Sequence, residues 1–546
     1  MFAFIIVILS TVATLLITYS FEDVLLNERL QQALIRIVRY DKAFIWKNEA
    51  ILKTLKIYWK TCFFILFIGC GGLTTFSFAN PVKGSRYPSE HWAQYQTAED
   101  AGFISGRLAK VEKYYKKRTF AALLIIKDGA IAVDWGENNR RFPVHSIRKS
   151  MLSVLYGVHS SDINFQANLA DLDINDNGAL TAKEQSATLL DVLSSRSGVY
   201  LPAAAEGGQM TRNRPERGSH APGNYWWYNN WDFNVAGTIY TKLTDEDITQ
   251  AFDRHIADPL QMQDFRHFDG YYVKAESEHP AAQFRMSSRD LARMGLLYAR
   301  NGNWRGKQII PKKWVKTSTQ VVSQTNMGNK YPPNYGYMWW VENDGSYSAR
   351  GVGGHVLAVY PERDMVVVLR SNTYLEQSVS ARAVMKILEG IVSASEGQPE
   401  SSVTLSMQKE TQDAPVGLPS QFQDKSLSIT LPNEEEVILH SNSQNMFVNL
   451  GTGELELNYV KDNQFTIIDR LEPLEIIMSS DGKFTDFKTP RLFYLRATHA
   501  AKQGDLDKAL YWVKEVLDMI SDSAIAYTSM AKIYIAKDDI DNAKKC

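Results

Sequence analysis

The chain has 546 residues, too many for one hydrophobic core, so several folding units are expected. Apolar residues make up 45% and charged residues 22%, a globular balance, and a formal net charge of -1 gives no electrostatic reason to expect nucleic acid. Only three cysteines occur, Cys62, Cys70 and Cys546, so the long middle has no disulfide, thiol nucleophile or cysteine zinc site; His-Glu-x-x-His spacing is also missing, and no cofactor is expected.

Residues 1–80 hold two apolar runs, Phe2 to Tyr19 and Cys62 to Ala79, with eight Lys/Arg between them over residues 21 to 60. A loop so basic stays on the cytoplasmic side, which places everything after Ala79 outside. Read instead as a signal peptide, Lys53, Lys56, Lys60, the second apolar run and Ser77-Phe78-Ala79 also imply export. Both readings imply export, and the protein is expected to be membrane-associated through its N-terminal region, with its later parts periplasmic or extracellular.

Residues 81–400 read as a layered α+β domain with a helical insertion. Ala98 to Arg118 has helical spacing, and Phe120 to Ile126 and Ala130 to Trp135 form a hairpin about Lys127-Asp128-Gly129. Pro143 gives an extended lead into Ser146-Ile147-Arg148-Lys149, followed by Met151, Leu152, Val154 and Leu155, too apolar for a surface helix. Ser at i and Lys at i+3 share a helix face, so an amine can take the proton of a hydroxyl there. The same four-residue pattern recurs at Ser406/Lys409, Ser480/Lys483 and Ser529/Lys532, and a Ser at a helix start is often only a cap. The buried-helix context and two later motifs favour Ser146.

Asp173, Asn175, Asn177, Thr181 and Glu184, with Gly178, match the spacing of a calcium-binding loop. The competing reading is a turn and a capping box, with Thr181 as N-cap and Glu184 at N3. Helices are expected over Leu189 to Ser195, within Tyr225 to Tyr240, over Ser287 to Arg300 and over Val379 to Ala394. Strands are expected over Tyr335 to Glu342, His355 to Tyr360 and Met365 to Arg370.

Tyr228-Asn229-Asn230 is the second motif. A phenol whose pKa falls from about 10 in a cationic site relays protons, and an amide can orient Lys149 and a substrate carbonyl. The third is Arg350-Gly351-Val352-Gly353-Gly354, where glycines allow close approach of an oxyanion-donating backbone. Trp226, Trp227, Trp231, Trp339 and Trp340 are candidates for an apolar acyl pocket or for core.

After a Ser-, Gln-, Glu- and Pro-rich linker, residues 401–492 alternate in short apolar runs and suggest a small β-barrel or sandwich. In residues 493–546, Gly504-Asp505-Leu506-Asp507-Lys508-Ala509 recurs as Asp538-Asp539-Ile540-Asp541-Asn542-Ala543 at an offset of 34, the tetratricopeptide period, so a protein partner is possible there.

From Trp92 to Gly390 the sequence resembles the β-lactamase-related serine hydrolases: class C β-lactamases, penicillin-binding-protein-like esterases and 6-aminohexanoate-dimer hydrolases. The residues that carry this are Ser146 to Lys149, Tyr228 to Asn230, Gly351 to Gly354, Ser195 to Tyr200 and Phe284 to Arg293. The resemblance implies a three-layer β-lactamase/transpeptidase-like fold and a covalent acyl-enzyme. Ser146 would be the nucleophile, with Lys149 and Tyr228 as base and acid and Asn230 positioning. The backbone N–H groups of Ser146 and Val352 would form the oxyanion hole. In place of the Lys-Thr-Gly of true β-lactamases and transpeptidases stands Ala349-Arg350-Gly351, where Arg350 either grips a carboxylate or points away. An ester, amide or peptide-like small molecule is therefore the expected substrate. A cell-wall D,D-peptidase or β-lactamase, or a silent scaffold using the C-terminal repeats, is the alternative.

Overall fold

The computed structural model describes residues 86–546, apart from residues 276, 329–330, 376, 399–403, 409–416, 432–435, 452 and 522. Both N-terminal apolar runs lie outside the described residues. Among the described residues, no helix is long and apolar enough to cross a membrane.

The middle of the chain is built on a ten-stranded sheet. Its centre is the hairpin Phe120–Lys127 and Ala130–Gly136, joined through Met365–Ser371 to His355–Tyr360 and Tyr347–Gly351. All these pairs are antiparallel; Ala93–Tyr95 adds to the hairpin in parallel.

The central strands are buried on both faces, and their side chains divide by parity. Leu124, Ile126, Leu357, Val359, Val366 and Val368 pack into one core with Met151, Val154, Leu291 and Met294. Leu123, Ile125, Val356, Ala358, Val367 and Leu369 pack into the other with Leu108, Val111, Val384 and Ile387. The first core belongs to the helices Ile147–Val158, Asn230–Thr244 and Ser288–Ala299, and the second to Ser105–Lys116 and Ala381–Ala394. This is the expected three-layer arrangement, with the Ser146 helix against one sheet face.

Residues 426–488 form a seven-stranded antiparallel meander in chain order, whose first and last strands approach each other, so the sheet is nearly closed. It docks on the unit built around the ten-stranded sheet through Asp469, which accepts from the Arg141 guanidinium at 2.9 Å, and through the Phe268–Phe447 ring contact. Four helices follow, Pro490–Lys502, Leu506–Met519, Ala524–Ala536 and Ile540–Lys545, each packed on the next. The sequence repeat reappears as two equivalent caps: Asp505 accepts from Lys508 N and Asp539 from Asn542 N.

Candidate active site

The approach to Ser146 is held from three sides. Phe142–Pro143 pairs with Ala281–Met286, and Val144 N donates to Phe284 O at 2.9 Å. The fully buried Arg370 donates to the carbonyls of Met286 (2.7 Å), Phe142 (2.9 Å) and Pro143 (3.0 Å) and to His355 Nδ1 (2.9 Å). Hydrogen bonds from a charged donor contribute about 1.5–3 kcal/mol each, so this cation fixes the segment strongly. Burial brings its pKa down to about 9. His145 then takes a left-handed backbone, φ 49°, unusual for a residue with a side chain. The chain turns there into the helix that begins at Ile147.

Ser146 stands at the N-cap position, yet its side chain makes no capping hydrogen bond. Its Oγ lies 2.8 Å from Lys149 Nζ instead. The same Nζ lies 2.9 Å from Tyr228 Oη, so the three groups expected to act together converge on one amine. Lys149 is 2% exposed, and Nζ sits 4.1 Å from the ring centre of Tyr228 and 4.5 Å from that of Phe233. Burial, reinforced by the adjacent Arg148 guanidinium, holds its pKa well below the usual lysine range. The amine is thereby poised to be uncharged and able to accept a proton.

Tyr228 departs from expectation. Burial raises its pKa, and the Ser146 hydrogen bond and the charge of Arg148 offset this only in part. The phenol therefore rests protonated, as an acid beside a neutral amine. Its position is set by Ser195, which has φ 60° and whose hydroxyl donates to Trp227 O (2.5 Å) and accepts from Asn229 N (3.1 Å). Asn229 caps the following helix by accepting from Trp231 N. The ring packs against Phe233 and Trp340 at 5.0 and 5.3 Å.

Gly351 brings the third motif alongside. A Cβ there would sit 2.7 Å from Val144 O and 3.1 Å from His145 Cβ, so only glycine allows this strand so close to the turn before Ser146. Val352, Gly353 and Gly354 turn the hairpin into His355–Tyr360. Neither Ser146 N–H nor Val352 N–H donates to a protein acceptor among the described hydrogen bonds, which leaves both for a substrate oxygen. Val352 itself is 70% exposed at the rim.

Other expected residues are placed differently. Arg350 lies on the opposite face of its strand from Gly351's neighbours Tyr347 and Ala349. Its Nε donates to Ser348 Oγ at 2.9 Å, and its Nη atoms face Met385 Sδ (3.3 Å) and Glu342 (3.6 Å). It is buried beside the Ala381–Ala394 helix. Asn230 donates to Ala205 O at 2.6 Å, its buried Oδ1 has no hydrogen-bond partner, and among the described hydrogen bonds none joins it to Lys149. At the calcium-like loop, Thr181 and Glu184 form a reciprocal capping box, Glu184 pairs with Arg217 at 2.7 Å, and Asp173 pairs with Lys242 at 2.8 Å. Asn175 Oδ1 accepts from Asp176 N and Leu180 N, and Asn177 donates to Asp176. Of the tryptophans, Trp226 and Trp340 join the aromatic cluster at Tyr228, whereas Trp231 and Trp339 are fully buried core.

Arg148, Phe233 and Ser195 carry no assigned role in the sequence, although Arg148 adjoins Lys149 and Ser195 opens the Ser195 to Tyr200 stretch.

The beta-lactamase family model matches residues 108–389. The chain belongs to the beta-lactamase family. The matched span contains all three motifs of the site. Solved structures of similar proteins include a Bacillus anthracis protein assigned as a 6-aminohexanoate-dimer hydrolase, at 16% identity and TM-score 0.43 over 57% of this chain and 88% of that one. A family VIII carboxylesterase aligns at 15% identity and TM-score 0.40 over 54% and 99%. An uncharacterized protein of Alkalihalophilus pseudofirmus is 25% identical over 117 residues, 19% of this chain and 34% of its own length. The match thus spans about a third of that relative.

Proposed function

We propose that this family member is a serine hydrolase that cleaves an ester or amide through a covalent acyl-enzyme on Ser146. One observation carries this reading: a single buried amine, Lys149 Nζ, lies within 2.9 Å of both the Ser146 hydroxyl and the Tyr228 phenol. Neutral Lys149 takes the Oγ proton as Oγ bonds to the substrate carbonyl carbon. The oxyanion that develops is received by the N–H groups of Ser146 and Val352. Tyr228 gives its proton to the leaving oxygen or nitrogen and is reprotonated from Lys149. Water then attacks the acyl-enzyme, loses its proton to the same pair, and releases the acid with Ser146 restored.

The placement of Arg350 on the far strand face favours an ester or small amide over a carboxylate-bearing β-lactam or D,D-peptide. A panel of p-nitrophenyl esters and small amides, with nitrocefin alongside, tests this. The expected result is a nitrophenol burst near one equivalent that is lost in Lys149→Ala, with nitrocefin poorly turned over. Rapid nitrocefin turnover without ester cleavage would reverse the assignment.

The same proposal places the catalytic domain outside the cytoplasm, on the strength of the basic loop between the two apolar runs; protease shaving of intact cells should then digest it. The four C-terminal helices are read as a tetratricopeptide-like segment from the offset of 34 and the paired caps. A chain ending at residue 492 that keeps full ester turnover would separate that segment from catalysis.

A further inference from the structure

At the far end of the nucleophile helix lies a second constellation that the proposed hydrolysis does not use. His159 is the C-cap of Ile147–Val158, and Glu246 follows the C-terminus of Asn230–Thr244 by two residues. His255 sits in a π-helical turn, Asp253–Ala257, an uncommon geometry frequent at functional sites. We propose that these three side chains bind a divalent cation of the zinc class, with water completing the coordination from the open side.

The geometry is that of a metal site. His159 Nε2 lies 3.2 Å from Glu246 Oε2, and His255 Nε2 lies 2.9 Å from the same oxygen and 3.0 Å from Oε1. All three ligand atoms lie within 4.8 Å of one another. Zinc bonds of about 2.0–2.2 Å in a tetrahedron put neighbouring ligand atoms about 3.3 Å apart, close to the separation of each His nitrogen from Glu246. His159 Nε2 is buried and makes no hydrogen bond, although it lies 3.2 Å from the Glu246 carboxylate.

The surrounding groups are compatible. Tyr240 donates to Oε2 at 3.3 Å, and Arg254 meets Oε1 at 2.8 Å from a guanidinium that is 64% exposed and free to swing away.

In a second cluster, Asp176, Glu278 and His279, the carboxylate of Asp176 and the ring of His279 are already engaged. Asp176 accepts from Trp231 Nε1, Ser277 Oγ and Glu278 N, and both His279 nitrogens are engaged, by Thr238 and by Asn175 O.

The first site joins the helix that carries Lys149 to the helix that follows Tyr228. At about 1.5 Å per residue it stands roughly 20 Å from Ser146 along the helix, so the cation clamps the two helices and takes no part in hydrolysis. The inference does not depend on the hydrolase reading.

The test uses the full chain with its thiols alkylated, stripped with EDTA and titrated with zinc chloride by calorimetry, with thermal unfolding followed in parallel. The expected result is about one Zn²⁺ per chain and a raised unfolding midpoint. His159→Ala and His255→Ala should weaken binding by about a hundredfold or more and remove the midpoint shift. Glu246→Gln, which keeps the side-chain volume, should do the same while retaining cooperative unfolding in EDTA, and His279→Ala should keep zinc binding. No stoichiometric zinc binding, or binding unchanged in the three ligand variants, overturns the proposal.

Discussion

Replacing Tyr228 by Phe isolates the phenol's proton from everything else the ring does. The ring keeps its contacts with Phe233 and Trp340, and Lys149 Nζ keeps its place 4.1 Å from the ring centre and 2.8 Å from Ser146 Oγ. What disappears is one hydroxyl 2.9 Å from the amine. One net hydrogen bond is worth about 1 kcal/mol of stability, so the fold should survive with a small loss. Catalysis should lose far more, because a positioned acid–base group supplies about 10²–10⁴ in rate, or about 2.7–5.4 kcal/mol of barrier. Stopped-flow acylation by a p-nitrophenyl ester reads this directly, and the loss should be larger for an amide, whose leaving nitrogen needs the proton more. A Tyr228→Phe variant that acylates within about threefold of the parent on both substrates would refute the role given to the phenol.

The buried Lys149 must be neutral to act, so acylation should rise with pH through its depressed pKa and level off well below the about 10.4 of a free lysine. Between those two pH values the unfolded chain binds the extra proton, so folding stability should also increase with pH, and denaturant titrations of Lys149→Met should show that slope reduced. Gly351→Ala places a Cβ 2.7 Å from Val144 O and should cut acylation by at least tenfold with a smaller effect on unfolding; unchanged kinetics would remove this strand from the site. Arg350→Ala should lower the unfolding midpoint through lost burial and the lost Glu342 contact while leaving KM for a carboxylate-bearing ester unchanged; a raised KM would return Arg350 to the substrate.

What was legible in the sequence was what local spacing dictates. Ser146 and Lys149 lie one helical turn apart whatever surrounds them, and the apolar residues after them could only be buried. The direction of Arg350 needed one more step. Once Gly351 is required to face the nucleophile turn, the alternation of a strand sends residue 350 to the other face, where Met385 and Glu342 receive it. The protonation of Tyr228 was not legible, because it depends on how deeply rings distant in sequence, such as Trp340, enclose it. Oxygen spacing alone cannot separate a calcium loop from a capping box, and Arg217 and Lys242 decide where those carboxylates go. His159, Glu246 and His255 meet only because two helix ends converge, which no local motif announces.

The central claim is that one hydroxyl in this chain is nucleophilic. Treatment with a fluorophosphonate probe, followed by peptide mass mapping, measures that directly. The account predicts a single phosphonyl adduct on Ser146, absent in Ser146→Ala and strongly slowed in Lys149→Ala. An adduct on another serine, or none on a folded chain, would contradict it.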